Sequence, residues 1–263
     1  MDGAWPARAT VTTLAPAPEP GASVSEPSSS RLPHDAAAGL PPPPAPRAAD
    51  RAAVPDGIDA GRVRAGLRRA RRAVDRHAAA LTRLDTVLGD GDHGDNLATG
   101  FRAVEELLER TPPDAPPGEL LRAVGHRLVA TVGGASGPLY GTAFLEAGFR
   151  AGDAERLDAE LIAVMLVAAA DGLARRGRCA VGDKTILDTL RPAADAFAAT
   201  VERGGSAIDA QAAALAAARR GMRSTGPLIA RRGLALRLGE RSIGPRDPGA
   251  VSCLVLLLAL AER

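Results

Sequence analysis

The chain has 263 residues and a formal net charge of +2, and this near balance of charge argues against a nucleic-acid-binding surface. It contains no apolar run of 18 residues and no hydrophobic segment behind its first charges, so it predicts neither a membrane span nor a secretion signal. Cys179 and Cys253 lack metal or disulfide spacing and have apolar neighbours. We therefore predict reduced, buried thiols in a cytoplasmic protein.

Residues 1–55 differ in composition from the rest of the chain. They hold 12 of the 21 prolines, including four in a row at 41–44, together with runs of Ala and Ser. Without apolar periodicity they bury too little surface to offset chain entropy. We predict a disordered leader at 1–55 and one globular domain at 56–263. A rigid polyproline spacer is the alternative interpretation of the leader.

Beyond residue 55 the apolar spacing is helical throughout. Apolar residues from Val63 to Leu81 recur every three or four positions, which predicts a first helix of roughly 24 residues. Further helices are predicted at 94–110, 119–131, 136–150, 158–176, 185–202, 206–222 and 248–262. Asp158 and Ser206 are plausible N-caps, and Pro248 suits a first helical turn. Eight helices with short connections predict an all-α antiparallel bundle.

An acidic, glycine-rich segment joins the first two predicted helices, with the sequence LDTVLGDGDHGDN at 84–96. Its four carboxylates, Asp85, Asp90, Asp92 and Asp95, fall within eleven residues and repel one another unless cations neutralise them. The glycines allow sharp turns that aim Asp90 and Asp92 at one point, which Asp85 reaches from the preceding helix. Oxygen ligands favour Mg²⁺ or Ca²⁺, and Mg²⁺ suggests phosphate chemistry.

Two alternatives apply to this segment. It resembles an EF-hand loop locally, but the bidentate Glu at the twelfth position is missing. It could also be a solvated acidic loop in which Asp92 or Asp95 caps a helix.

Three further connections between predicted helices combine glycines with polar or charged residues. The segment VGGASGP at 132–138 places glycines and Ser136 at a predicted helix start, an arrangement that suits phosphate binding. It is not a nucleophile elbow, because Pro138 occupies the place of the last glycine in that motif. The segment GRCAVGDKT at 177–185 is a near miss to a P-loop, because Asp183 intrudes before Lys184 and no strand precedes it. A local ion pair of those two residues is the simpler interpretation. The segment GERSIGPRDPG at 239–249 fits either a functional loop or a turn with a surface ion pair.

Taken in order, these segments resemble the nucleotide-binding L subunit of dihydroxyacetone kinase, also called the second dihydroxyacetone-kinase domain. The stretches that carry the resemblance are LDTVLGDGDHGDN, VGGASGPLYGT, GDKTILD and LGERSIGPRDPGA. The resemblance spans roughly residues 56–263. It implies an eight-helix antiparallel barrel whose loops at one end hold ADP or ATP through two Mg²⁺ ions.

The resemblance also implies roles for individual residues. Asp85, Asp90 and Asp92 match the metal ligands, and His93 and Arg241 are the predicted catalytic residues. The predicted nucleotide-binding positions are His93, Gly94, Asp95, Asn96, Ala135, Ser136, Gly177, Ile186, Asp247, Pro248 and Gly249.

The implied activity is that of a phosphotransferase. It transfers a phosphoryl group to dihydroxyacetone, or a related short ketose, held by a separate K subunit. In one branch of the family, bound ADP is recharged by a phosphotransferase-system protein, and in the other ATP is the exchangeable donor. Neither nucleic acid nor a membrane is an expected partner.

Two positions depart from the family pattern. Leu234 stands where the family has an arginine that meets the phosphates, and Pro245 stands where it has a histidine. Arg232 or Arg237 is a candidate to replace that arginine from nearby.

Two other functions are alternatives to the kinase. One is a nucleotide-loaded, non-catalytic module that controls a transcription regulator. The other is a domain like that of fatty-acid kinases, whose related motif carries Thr where His93 stands.

Overall fold

A computed structural model describes residues 57–262, and the predicted leader lies outside these residues. The described chain is almost entirely helical. Residues 57–262 contain eight α-helices: α1 (Ala60–Leu88), α2 (His93–Arg110), α3 (Pro117–Thr131), α4 (Ser136–Ala151), α5 (Ala159–Gly177), α6 (Leu187–Glu202), α7 (Ala207–Ser224) and α8 (Pro248–Ala261). A 3₁₀ segment, Leu234–Ser242, precedes α8. The all-α prediction is confirmed.

The helix ends follow the predicted capping signals. Asp158 and Ser206 accept the backbone N–H groups of Leu161 at 2.8 Å and Asp209 at 3.2 Å, as N-caps do. Pro248 occupies the first turn of α8. The first helix is longer than predicted, with 29 residues: Asp59 caps its start through the N–H of Arg62, and the helix continues past Leu81 to Leu88 before it ends at Gly89.

Each helix packs against the next, and α8 packs against α1, so the ring of helices closes. Successive helices run antiparallel, and close glycine contacts mark several of these pairs. Gly94, at the start of α2, lies against Ala78 in the second half of α1, and Gly221, near the end of α7, lies against Asp188 near the start of α6. All four connections from an odd- to an even-numbered helix therefore lie at one end of the barrel.

The core is built from Leu, Val and Ala with few aromatic side chains. Phe101 of α2 is fully buried, and α8 is buried on almost every side from Ala250 to Leu256. The apolar run Leu254–Leu260 is thus helical, as predicted, although Leu260 is exposed. No helix in the described chain has both the length and the hydropathy to cross a bilayer.

Two features differ from the sequence prediction. A two-residue strand β1 (Ile58–Asp59) pairs antiparallel with β2 (Arg156–Leu157), too short to show a period-two pattern. Cys253 is buried as predicted, and burial raises the pKa of its thiol to about 12. Cys179 is only partly buried, because it lies beside an open cavity.

Candidate functional site

The four odd-to-even connections surround a cavity of about 820 Å³ at their end of the barrel. Its lining comes from the α1–α2 loop, the start of α4, the α5–α6 loop and the segment between α7 and α8. Each of the four polar segments singled out in the sequence contributes to it. The volume lies within the range of small-molecule and cofactor sites.

Asp85 organises the first loop from the last turn of α1. Its Oδ2 accepts the backbone N–H groups of Gly91 and Asp92, each at 3.0 Å, and of His93 at 3.1 Å. The carboxylate is buried, and a side chain at Gly89 would collide with its Oδ1. The loop is therefore folded around the carboxylate of Asp85, which is held in one orientation.

Asp85, Asp90 and Asp92 form an acidic cluster at the cavity. One ligand oxygen from each lies within 4.8 Å of the others, a spacing that suits a hard cation with ligands about 2.1 Å away. Asp90 and Asp92 are exposed toward the cavity. Desolvation raises the pKa of Asp92, and the charges of Asp90 and Asp85 raise it further. These three side chains could hold a metal.

His93 links three elements through both ring nitrogens. Its Nδ1 lies 2.9 Å from Oγ of Ser136 at the start of α4, and its Nε2 lies 2.8 Å from Oγ of Ser252 on α8. The hydroxyl of Ser252 donates to the Gly249 carbonyl at 3.0 Å and lies 2.6 Å from the hydroxyl of Tyr140. Burial lowers the pKa of His93, against the opposing effect of Asp85 and Asp90. A neutral ring thus fastens the acidic loop to α4 and α8.

The glycine turn before α4 leaves that helix start open to the cavity. Gly134 has φ +62°, and a Cβ at Gly133 would lie 2.9 Å from the side-chain amide of Asn96. Ala135 and Ser136 line the cavity beside the first turn, whose N–H groups have no partner within the helix. Such a helix start favours an anion.

Lys184 is the only lysine of the chain and its side chain is almost completely buried. Its Nζ donates to the carbonyl oxygens of Thr225 at 2.6 Å, Pro245 at 2.7 Å and Gly226 at 3.3 Å. Its three N–H donors are thereby committed to backbone acceptors. Desolvation lowers the pKa of Lys184, although Asp247 and Asp188 oppose the effect. This lysine joins the α5–α6 loop to the segment before α8.

Asp183 and Lys184 therefore do not form the local ion pair that the sequence suggested. Asp183 instead forms an ion pair with Arg232, whose Nε lies 3.2 Å from Oδ2 of Asp183. The separation arises because Lys184 has φ +61°, which turns its side chain toward the end of α7.

Asp247 caps α8 by accepting the N–H of Ala250 at 2.7 Å, and its own N–H donates to Oγ1 of Thr225 at 3.1 Å. Burial raises the pKa of Asp247 to about 7, with smaller contributions from Asp188 and Asp85, while Lys184 lowers it.

This pKa predicts a pH dependence of stability. An aspartate whose folded pKa exceeds its unfolded value of about 3.9 destabilises the fold at high pH, and the penalty disappears as pH falls through 7 toward 4. Metal-free wild type should therefore gain stability from pH 8 to pH 5 relative to Asp247→Asn, which keeps the N-cap acceptor. Urea unfolding of both proteins at each pH measures the difference. Parallel pH profiles would contradict the assignment.

The other predicted residues fall into two groups. Gly177, Ile186, Pro248 and Gly249 line the cavity with mainly apolar or backbone surface. Gly94, Asp95, Asn96 and Arg241 are not part of the lining. Gly94 is a helix-packing residue, whereas Asp95 and Arg241 are exposed to solvent. The binding and catalytic roles of all these residues stay predictions.

Sequence reasoning missed several residues at the site. Tyr140 and Ser252 lie on buried helix faces whose apolar pattern is that of a hydrophobic core, so no local pattern distinguishes them from core residues. Asp188 is fully buried and accepts the N–H groups of Gly182 and Thr185, each at 2.6 Å. The spacing from Thr185 to Asp188 is a recognisable local hydrogen-bonding signal. Arg176, in the last turn of α5, lines the cavity as well.

Solved structures share this fold. A dihydroxyacetone kinase from C. freundii matches in its native form with a TM-score of 0.60 and 25% identity, over 80% of this chain and 36% of the kinase chain. The same kinase in complex with AMP-PNP and Mg²⁺ matches with a TM-score of 0.59. The chain thus corresponds in fold to about a third of that longer kinase.

Curated relatives match over most of their length. The ADP-binding subunit DhaL of a PEP-dependent dihydroxyacetone kinase 2 from Listeria innocua is 37% identical over 72% of this chain and 88% of the relative. The corresponding Escherichia coli K12 subunit is 40% identical over 69% of this chain and 86% of the relative. A D-erythrulose kinase from Mycolicibacterium smegmatis is 37% identical over 36% of its own length.

The family model for the DAK2 domain matches residues 87–262, and the chain belongs to this family. The resemblance found in the sequence is confirmed. All of these relatives are named as kinases or kinase subunits, so the predicted phosphotransferase class is confirmed at the level of the family.

Proposed function

We propose that the chain binds ADP or ATP with Mg²⁺ in its cavity, as the nucleotide-binding subunit of a dihydroxyacetone-type kinase. The observation that carries the proposal is the convergence of an acidic cluster and an open helix start on one cavity. Phosphates need both features, because carboxylates attract the cation and helix N–H groups bind the anion. The α1–α2 loop supplies the first and the α3–α4 turn the second.

Each part of the cavity has a role in this proposal. Asp85, Asp90 and Asp92 would hold Mg²⁺, and two ions with the nucleotide are proposed. Bound Mg²⁺ neutralises phosphate charge. Ala135 and Ser136 would contact the phosphates. The hydrogen bond between His93 and Ser136 fixes the position of that turn relative to the acidic loop. Gly177, Ile186 and Gly249 would face the nucleoside.

The proposed acceptor is dihydroxyacetone or a related short ketose, held by a separate K subunit. Relatives that act on dihydroxyacetone and on erythrulose support that substrate class by name. The relatives matched over most of their length are ADP-binding subunits of PEP-dependent kinases. This favours ADP as the resident nucleotide and a phosphotransferase-system protein as the donor. The free thiols of Cys179 and Cys253 agree with a cytoplasmic location.

The direct test is the nucleotide content of the purified full-length chain. We expect about one ADP per chain, retained through dialysis in Mg²⁺ and released by EDTA, because charge-assisted contacts to metal and phosphate hold it. Chromatography of the acid extract measures the nucleotide, and elemental analysis measures Mg²⁺. Reversible binding of Mg-ATP to an empty protein would place the chain in the ATP-dependent branch. Failure to bind ADP or ATP with Mg²⁺ would refute the proposal.

A further inference from the structure

Among the residues that the structure describes, the cationic side chains that line the cavity are one lysine and three arginines, Arg176, Arg232 and Arg237. Lys184 has no free donor, because three carbonyl oxygens take its N–H groups. A guanidinium must therefore supply any positive side chain that meets a phosphate here.

Arg232 has an ion pair with a buried carboxylate. Its Nε lies 3.2 Å from Oδ2 of Asp183, whose residue is only 7% exposed. The same oxygen accepts the N–H of Ala180 at 3.0 Å, so the carboxylate is fixed within the α5–α6 loop. Among the described residues, neither Arg176 nor Arg237 has a comparable ion pair.

The backbone that precedes Arg232 is held as well. The N–H of Arg231 donates to the Asp183 carbonyl at 3.0 Å. The N–H of Ala230 donates to Oγ of the fully buried Ser242 at 2.9 Å. Asp183 thus anchors this segment through both its main chain and its side chain.

From this arrangement we infer that Arg232 is the phosphate-binding arginine of the site and that Asp183 is its positioning residue. The inference rests on the proposed function and goes beyond it by assigning these two roles. The ion pair uses Nε and leaves the two terminal nitrogens of the guanidinium for a ligand, a fork that matches two phosphate oxygens. The ion pair restricts the half-exposed guanidinium before the ligand arrives, which reduces the side-chain entropy lost on binding.

The test compares ligands with and without phosphates on the full-length chain. Arg232→Ala should weaken Mg-ADP binding about tenfold to a hundredfold, the loss expected for a hydrogen-bonded charge, and leave adenosine binding unchanged. The affinity of Arg232→Lys for Mg-ADP should fall between those of wild type and Arg232→Ala. Lysine keeps the positive charge but lacks the paired N–H donors of the guanidinium. Arg231→Ala is the matched control, since it keeps the N–H that Asp183 binds and its side chain lies outside the cavity lining. Calorimetric titration measures all four proteins.

The role of Asp183 is tested by a double-mutant cycle. Asp183→Asn should weaken Mg-ADP binding about threefold to tenfold in the wild-type background and have no effect when Arg232 is already alanine. Additive losses would overturn the positioning role.

Other outcomes are equally decisive. Equal losses for ADP and adenosine in Arg232→Ala would mean that the ion pair only supports the loop, which overturns the inference. Unchanged ADP affinity in that variant overturns it too, while the proposed function stands. A wild type that binds neither ADP nor ATP overturns both.

Discussion

Replacing Asp90 with alanine is expected to lower the affinity for Mg-ADP at least about a hundredfold, since loss of even an outer partner of a metal site costs tenfold to a hundredfold. Asp90 is one of three carboxylates whose oxygens lie within 4.8 Å. It is exposed, so the fold should persist, and the metal-free variant should be as stable as wild type or slightly more stable, because one repelling charge is gone.

Calorimetry measures the affinity, and the shift of the unfolding midpoint on adding Mg-ADP provides a second readout. Asp114→Ala is the control, because Asp114 is an exposed carboxylate in the α2–α3 connection at the opposite end of the barrel. Equal affinities in the Asp90 variant and wild type would remove the acidic cluster from the proposed site.

Replacing Gly94 with alanine is expected to lower the free energy of unfolding by about 3 kcal/mol, at the upper end of typical overpacking costs. A Cβ there would lie 2.0 Å from the carbonyl oxygen of Ala78 and 2.7 Å from Oγ1 of Thr82. The obstacle is backbone, which cannot rotate away, so α1 and α2 must separate. Because these helices flank the acidic loop, the three carboxylates should also lose their spacing and bind Mg-ADP more weakly.

Gly61→Ala is the matched control in the first turn of α1. Its Cβ would meet only Oδ1 of Asp59, at an ordinary 3.4 Å, so stability should stay the same or rise by up to about 1 kcal/mol from helix propensity. Urea unfolding of both variants gives the comparison. Equal free energies of unfolding for Gly94→Ala and wild type would show that the helices adjust without cost.

Much of the fold could be predicted from the sequence because helical periodicity is a local signal. The caps at Asp158 and Ser206 and the proline at 248 fixed helix starts within a residue or two. The 3₁₀ segment was not predicted. It is short and is interrupted at Gly239, where φ is 55°, so no stretch is long enough to show a helical stripe.

The location of the candidate site could also be predicted, since polar residues concentrate at the helix connections. The partners within it could not. The hydroxyl pair of Tyr140 and Ser252 depends on how α4 and α8 pack together. Lysine is not a residue type that favours the left-handed conformation, so the sequence does not predict it at Lys184. The three carbonyl oxygens that accept from Lys184 therefore could not be predicted either.

The closure of the ring by α1 and α8 has a consequence for protein engineering. Nε of Arg69, in the first third of α1, donates to the carbonyl of Ala259, near the end of α8, at 3.1 Å. The start of α1 and the end of α8 therefore lie at the same end of the barrel, opposite the cavity. A circular permutation that joins these ends and opens the chain at 203–206 would keep all four cavity connections covalently intact.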